Sequence, residues 1–312
     1  RKYRMLQPGD RVLAAVSGGP DSIALFHLLL QFRKELGFLL GAAHFDHQMR
    51  PDSGADLEFV QELASRHSVA FFCGSKNVPA LVKADGGNLE EVARACRLEF
   101  LGAIAKRENF GKIATGHTLN DQAETVLMKL LRGAGSAGLG GIAPKVGSWI
   151  RPVIEVSRPD ILSFLREGGL AFRQDVTNLD TGLLRNRIRH RLLPLLEAAY
   201  SHRILEKLSS LAEIERETAR YWRWHCRRFI ERDDSGPLIR VERLKRRPVA
   251  EQREAVRLFI FRARGHLRRI SFEHTESVRR LVDQRAGGRQ VVLPGGWEIF
   301  NAGGVLRARK RQ

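Results

Sequence analysis

Residues 11–32 read RVLAAVSGGPDSIALFHLLLQF, and the middle of that stretch decides the kind of fold the chain adopts. RVLAAV (11–16) is a short apolar run with the length of a buried strand. It ends abruptly at Ser17-Gly18-Gly19-Pro20-Asp21-Ser22, and IALFHLLLQF (23–32) then has the apolar density of a buried helix. A strand that turns through two glycines into a helix brings backbone N–H groups and the positive end of the helix dipole to one point, which suits a phosphate. The hydroxyls of Ser17 and Ser22 add donors. The loop has neither the Gly-Lys-Ser/Thr of a Walker A loop nor a GxGxxG fingerprint. A carboxylate inside a phosphate loop repels its ligand unless a cation accompanies it. Asp21 therefore reads as a Mg2+ ligand on a pyrophosphate, with a helix-capping role as its plain alternative.

Working outward, the first 120 residues alternate in the βα manner. LLGAAHF (39–45), VAFFCGSK (69–76) and KIATGH (112–117) read as further strands. DLEFVQELASRH (56–67), NLEEVARACRLEFLGAIAKREN (88–109) and AETVLMKLLRG (123–133) read as the helices between and after them. Strands separated by helices of this length predict parallel pairing through right-handed crossovers. The expected fold is α/β, an open doubly wound parallel sheet of Rossmann-like type, with its ligand site at the C-terminal strand ends. Beyond a glycine-rich stretch at 131–144 the pattern changes. Ser157 is placed to cap a helix, residues 184–200 read as a basic helix broken near Pro194, and 201–230 read as helical and arginine-rich. VVLPGGWEIF (291–300) predicts a small β-hairpin in an otherwise mainly helical C-terminal domain. The boundaries expected are a nucleotide-binding catalytic domain over 1–200, a helical linker over 201–232 and a basic domain over 233–312.

The formal net charge is +18, unevenly spread: residues 1–200 hold 26 Lys and Arg against 21 Asp and Glu, and residues 201–312 hold 27 against 14. A basic module beside a near-balanced one is the footprint of a polyanionic partner, nucleic acid before membrane surface, because no long amphipathic anchor stands out. Cys73, Cys96 and Cys226 are far apart and form no CxxC pair, which argues against a disulfide framework, a zinc ribbon or an iron–sulfur site. RKYRMLQPGD (1–10) lacks the apolar run of a signal peptide, and no stretch of about 18 apolar residues occurs. The expectation is a cytoplasmic protein without membrane attachment, and a homodimer is compatible with it.

Three further segments carry candidate chemistry. His44-Phe45-Asp46-His47-Gln48-Met49-Arg50 closes the second strand, where an adenine or ribose would sit, although Asp46 also fits a local turn. Gly116-His117-Thr118-Leu119-Asn120-Asp121-Gln122-Ala123-Glu124-Thr125 follows the fourth strand. Asp121 and Glu124 lie three apart at a helix start, so both carboxylates can face one cleft, or Asp121 can cap the helix with Glu124 at its third position. Arg94 and Arg97 share a helix face and suit a phosphate or a developing oxyanion, or simply pair with Glu90 and Glu91.

SGGxDS at the end of a first strand resembles the PP-loop ATP pyrophosphatases, which cleave ATP between its α and β phosphates and adenylate a substrate. Within them, 44–50 resembles the HxDHxLR motif of the tRNA(Ile)-lysidine synthase family, with Met49 in place of Leu, and 117–125 resembles its complete HxxxDQxET pattern. Gln174-Asp175-Val176-Thr177-Asn178 and Leu184-Arg185-Asn186-Arg187-Ile188-Arg189 resemble its DxxN and RNRIR segments. The resemblance implies ATP and Mg2+ as cofactors, L-lysine and a tRNA(Ile) with a CAU anticodon as substrates, and two half-reactions. The wobble cytidine is adenylated, and lysine then displaces AMP. It implies that Ser17–Ser22 with His44 and Asp46 hold ATP, that Asp121 and Glu124 hold lysine, and that Arg97 steadies the base or the transition state. His117 would transfer a proton, and Arg94 is a weaker candidate beside Arg97. Arg185 and Arg189 would grip RNA phosphates or bridge helices to the sheet domain. Two readings stay open beside it: another PP-loop tRNA-modifying enzyme such as a thiolase, and a non-catalytic RNA-binding protein.

Overall fold

The computed structural model describes residues 2–50, 53–173, 184–283 and 290–311. The chain divides into two compact units, Arg1–Ile214 and Glu215–Gln312. The first opens with β1 (Arg11–Ala15), α1 (Pro20–Phe32), β2 (Leu39–Asp46), α2 (Gly54–Arg66) and β3 (Ala70–Ser75). It continues with α3 (Val78–Asp85), α4 (Leu89–Arg107), β4 (Lys112–Ala114), α5 (Leu119–Leu131), the one-turn α6 (Ser136–Leu139), β5 (Lys145–Val146), β6 (Trp149–Ile150) and α7 (Arg158–Glu167). The strands line up as β3-β2-β1-β4-β6-β5, parallel except for β5 at the edge. This is the doubly wound sheet expected, extended by β5 and β6. Those two strands are two residues long, too short to leave a periodic signature.

The order reverses at β1, whose neighbours are β2 and β4, so α1 and α2 cover one face, α4 covers the other, and a crevice opens at the strand ends. Val12 and Ala14 of β1 pack with Ile23, Leu25, Phe26 and Leu29 around α1. Leu13, on the opposite face, packs with Leu101 and Ile104 of α4 and with Phe110 and Ile113. With both faces covered, β1 carries an unbroken apolar run rather than an alternating one. That burial fixes where its C-terminal end delivers the Ser17–Ser22 loop.

After the undescribed residues 174–183 come α8 (Leu184–Arg187), a π-helical segment Ile188–Leu192 and α9 (Leu193–Ala199), with Pro194 in the first turn of α9. Ile188 and Leu193 pack with Ala123, Val126 and Leu127 of α5. The division between the two units falls within α10 (Ile204–Cys226). The second unit adds β7 (Glu231–Asp233), β8 (Gly236–Arg240), α11 (Val241–Lys245), α12 (Val249–Arg264), α13 (Phe272–Asp283), β9 (Gln290–Leu293), β10 (Trp297–Ala302) and β11 (Val305–Lys310). The expected hairpin is present as β9 and β10, joined through Pro294-Gly295-Gly296. It is part of an antiparallel sheet ordered β7-β8-β11-β10-β9, so the strand content exceeds the expectation. Ile239, Ile299 and Leu306 of that sheet close a core with Val256, Phe259 and Ile260 of α12 and Val278 and Val282 of α13. Among the described residues no helix is long and apolar enough to cross a membrane.

Candidate active site

A cleft of about 460 Å³ opens at the C-terminal ends of β1, β2 and β4, lined by Ser17, Asp21, Ser22, His44, Asp46, His47, Arg97, His117, Asp121, Arg185 and Arg189 among others. A second compartment of about 260 Å³ adjoins the same loop. It shares Ser17, Asp21, Ser22 and Arg189 and adds Gly19, Pro20, Arg158 and Arg173. Most of the residues singled out in the sequence therefore meet in one place, although Ser17 and Arg189 lie at opposite ends of the first unit's sequence.

The loop is held by its own serines. Ser17 N–H donates to Ser22 Oγ (3.0 Å), Ser22 Oγ–H donates to the Gly19 carbonyl (2.9 Å), and the two hydroxyls lie 3.1 Å apart. Gly18 takes φ +89°, a conformation a side chain disfavours. Gly116, after β4, has a different reason to be glycine. A Cβ there would lie 2.7 Å from the Asp21 carbonyl oxygen, so the β4 loop can press against the start of α1 only without a side chain. Arg173 N–H donates to the Gly18 carbonyl (2.9 Å), tying residues after α7 to the loop.

Asp21 Oδ1 is buried with no hydrogen-bond partner, and Oδ2 lies 3.7 Å from an Arg158 guanidinium nitrogen. Burial pushes its carboxyl above the usual carboxylate range, and Arg158 opposes that only in part. An incompletely compensated oxygen beside a phosphate-type loop is a hard donor suited to Mg2+, which takes one or two carboxylates and completes its shell with phosphate oxygens and water. Among the described residues there is no group of three or more His, Cys, Asp or Glu that could hold a metal by itself. The fit is therefore to an ion shared with a phosphate ligand.

Asp121 and Glu124 sit in the first turns of α5, where the structure sorts them differently. The capping box uses Thr118 as cap and Asp121 at the third position, one turn earlier than the pairing the sequence suggested. Thr118 N–H and Oγ–H donate to Asp121 Oδ2 (2.9 and 3.1 Å). Asp121 Oδ1 accepts from Arg185 (2.8 Å) and Arg189 (3.4 Å). Glu124 is fully buried, and both its oxygens are taken, one by Arg189 (2.5 Å) and the other by Arg185 (2.8 Å) and Arg189 (3.0 Å). Burial alone would raise Asp121, but Arg185, the Thr118 N–H and Arg189 outweigh it and hold the carboxyl below its usual value. Arg185, whose charge burial disfavours, is raised by the two acids. Of this pair, then, Asp121 lines the cleft and Glu124 lies behind it. Arg185 and Arg189 bridge the α8–α9 region to α5 while also lining the cleft.

The remaining candidates divide in the same way. Arg97 lines the cleft half-buried, with no acid at ion-pair distance among the described residues. Burial, Arg94 and Arg185 lower its pKa. Arg94 is exposed and does not line the cleft. His117 hydrogen-bonds through Nδ1 to Thr115 Oγ (2.9 Å). Burial, joined by Arg151 and Arg97, holds it down to about 4 against the pull of Asp121, so it is neutral at pH 7. His44 donates from Nδ1 to the Val16 carbonyl (2.9 Å) and is lowered by burial. Asp46 uses one oxygen for Gln48 N–H (2.8 Å) and the other for Ser53 Oγ (3.1 Å), so its visible role is to shape the loop after β2. Gln174 to Asn178 lie outside the described residues.

Sequence reasoning passed over Arg158, Arg173, Asp56 and His47. Asp56 binds Arg50 (2.7 Å) and Arg173, fastening the loop after β2 to the segment after α7 beside the phosphate loop. His47 is held down to about 4, chiefly by burial and then by Arg97, and its Nδ1 is buried without a partner. A signal existed only for His47, which lies inside the 44–50 motif. Arg158 and Arg173 belong to no local pattern.

A doubly wound sheet with a serine–glycine phosphate loop at its reversal point defines a class of nucleotide-binding domain, and a family model described as a PP-loop domain matches residues 2–196. The chain is 39% identical to a tRNA(Ile)-lysidine synthase from Solibacter usitatus over 93% of its length and 66% of the relative's. It is 32% identical to one from Chlorobaculum tepidum over 99% of its length and 94% of the relative's. The chain belongs to the tRNA(Ile)-lysidine synthase family. It spans just under two thirds of the relatives from Solibacter usitatus and Geobacter sulfurreducens, 66% and 64%. Among solved structures, a U34-tRNA thiolase from Methanococcus maripaludis shares the fold. Its TM-score is 0.56 at 18% identity, over 67% of this chain and 74% of that one.

Proposed function

We propose that this chain catalyses ATP-dependent formation of lysidine at the wobble cytidine of a tRNA(Ile) with a CAU anticodon, releasing AMP and pyrophosphate. One observation carries the reading. The cleft joins a phosphate loop holding the incompletely compensated Asp21 to a second acidic position, Asp121, and is lined as well by neutral His117 and by Arg97, which meets no acid at ion-pair distance among the described residues.

Ser17–Ser22 would receive the polyphosphate of ATP, with Arg158 and Arg189 flanking it from the second compartment. Mg2+ on Asp21 would neutralise charge on the pyrophosphate as it leaves. The cytosine carbon-2 oxygen attacks the α-phosphate, and Arg97 stabilises the charge that develops there. The lysine ε-amine then attacks carbon-2 and expels AMP. Asp121 is the acid in reach of a lysine ammonium. Glu124, sealed behind it, acts through Arg185 and Arg189 as a positioning residue. With its pKa near 4, His117 accepts a proton at neutral pH rather than donating one. The second unit, with 25 Lys and Arg against 12 Asp and Glu, would bind tRNA phosphates, giving an affinity that falls steeply with salt. A tRNA substrate would put the reaction in the cytoplasm.

The decisive assay supplies ATP, Mg2+, labelled lysine and tRNA(Ile) with a CAU anticodon. Lysine enters the tRNA, and Asp21→Ala reduces the rate by about 10²–10³-fold, the range for removing one transition-state charge partner. Pyrophosphate release without lysine incorporation would retain the adenylation chemistry and remove the substrate assignment.

A further inference from the structure

Residues 218–230 read TARYWRWHCRRFI, with four arginines, four large aromatics and no acid. Helical spacing puts Tyr221 and Trp224 on one side of α10, while Trp222 turns inward against the core of the second unit. Tyr221 is 52% and Trp224 64% exposed, an unusual place for two large rings on a helix whose opposite face already packs. The rings are also arranged. Tyr221 stacks on His225 at 5.5 Å with 23° between planes, and Trp224 lies 6.0 Å from Tyr221. Arg228 holds His225 from the side at 2.9 Å.

The exposed positions between and beside the rings are arginines: Arg220, Arg223 and Arg227. Arg220 meets only the exposed Glu217, at 3.7 Å, and Arg223 only a carbonyl of its own helix. Arg227 has no acidic partner among the described residues. Flat π-faces next to uncommitted guanidinium groups complement a nucleic-acid strand, whose bases stack without regard to sequence while its phosphates take the charge. A base in a duplex is already stacked on its neighbours, so the matching ligand is an unpaired nucleotide.

We propose that Tyr221 and Trp224 form a stacking platform for unpaired nucleotides of the RNA substrate, with Arg220, Arg223 and Arg227 neutralising the adjoining phosphates. This deepens the tRNA reading and rests on it.

The test uses the full chain and two fluorescent probes, an unstructured 12-nucleotide RNA and a blunt 12-base-pair RNA duplex. Trp224→Ala weakens binding of the single strand by about 5- to 100-fold, the range for losing one stacked base, and leaves duplex binding within about twofold. Trp224→Phe restores most of the loss, and the salt dependence keeps its slope. Arg227→Ala reduces that slope and weakens both probes alike. An equal loss on both probes, or none on the single strand, overturns the platform. So does self-association of the wild-type chain that Trp224→Ala abolishes in sedimentation, since the rings would then be a protein contact. Because binding is read without ATP, a platform that passes in a chain making no lysidine leaves this inference standing and removes the proposed reaction.

Discussion

Two buried glutamates, each held between two arginines, behave differently because of where the fold puts them. Glu124 lies under the strand-end cleft with Arg185 and Arg189, whose side chains are 30% and 20% exposed. Glu298, on β10 of the second unit, is almost as buried, but its partners Arg309 and Arg311 are 61% and 56% exposed. Water can replace either arginine at Glu298. At Glu124 it has little access, and the same two guanidiniums also serve Asp121. The cleft is thus a coupled charge network whose members depend on one another, and the sheet clamp is a buried acid whose two arginines are solvated.

The sharpest way to break that comparison is Glu124→Ala. Leaving two largely buried guanidiniums short of charge costs about 3–5 kcal/mol, read from urea unfolding at pH 7. The same change at Glu298 lowers the melting temperature less. Equal losses at the two sites would show that the cleft network is screened like the surface one. Next comes Gly116→Ala. The methyl group collides with the Asp21 carbonyl, and the loop shift of roughly 1 Å that follows reduces lysine incorporation by about 10²-fold. Overpacking costs about 1–3 kcal/mol, so the variant stays folded. Unchanged activity would mean that the loop tolerates displacement.

The third and smallest effect is in pH. His47 and His117 are both held at about 4, below the ordinary value of 6.5, so the unfolded chain takes up their protons first. Stability therefore declines as pH falls from about 6.5 to 4 and loses nothing further from these groups below that. In the second unit the lowered carboxylates Glu231, Asp233, Glu276 and Glu298 keep their contribution until pH falls below their ordinary values of 3.8–4.5. Asp21, raised by burial, pulls the other way as pH falls towards its ordinary value of 3.8. Urea midpoints followed from pH 7 to 4.5 should slope downward, and replacing both histidines by asparagine should flatten the slope. A flat wild-type profile would mean that the two rings are solvated.

The sequence by itself determined the sheet, the phosphate loop and the identity of most cleft residues. Those signals are local: an apolar run of strand length, a glycine turn, a helix of known periodicity and three contiguous motifs. It also located the charge of the second unit, since counting needs no coordinates. Tertiary structure alone decided which of two adjacent acids faces the cleft. Asp121 and Glu124 are three residues apart on one helix, and their separation into a lining acid and a buried one depends on Arg185 and Arg189 arriving from more than sixty positions away. It likewise added Arg158 beside Asp21 and required glycine at 116, and it joined the hairpin of β9 and β10 to a five-stranded sheet. In each case the deciding partner is distant in the chain, and close packing rather than local preference makes the choice.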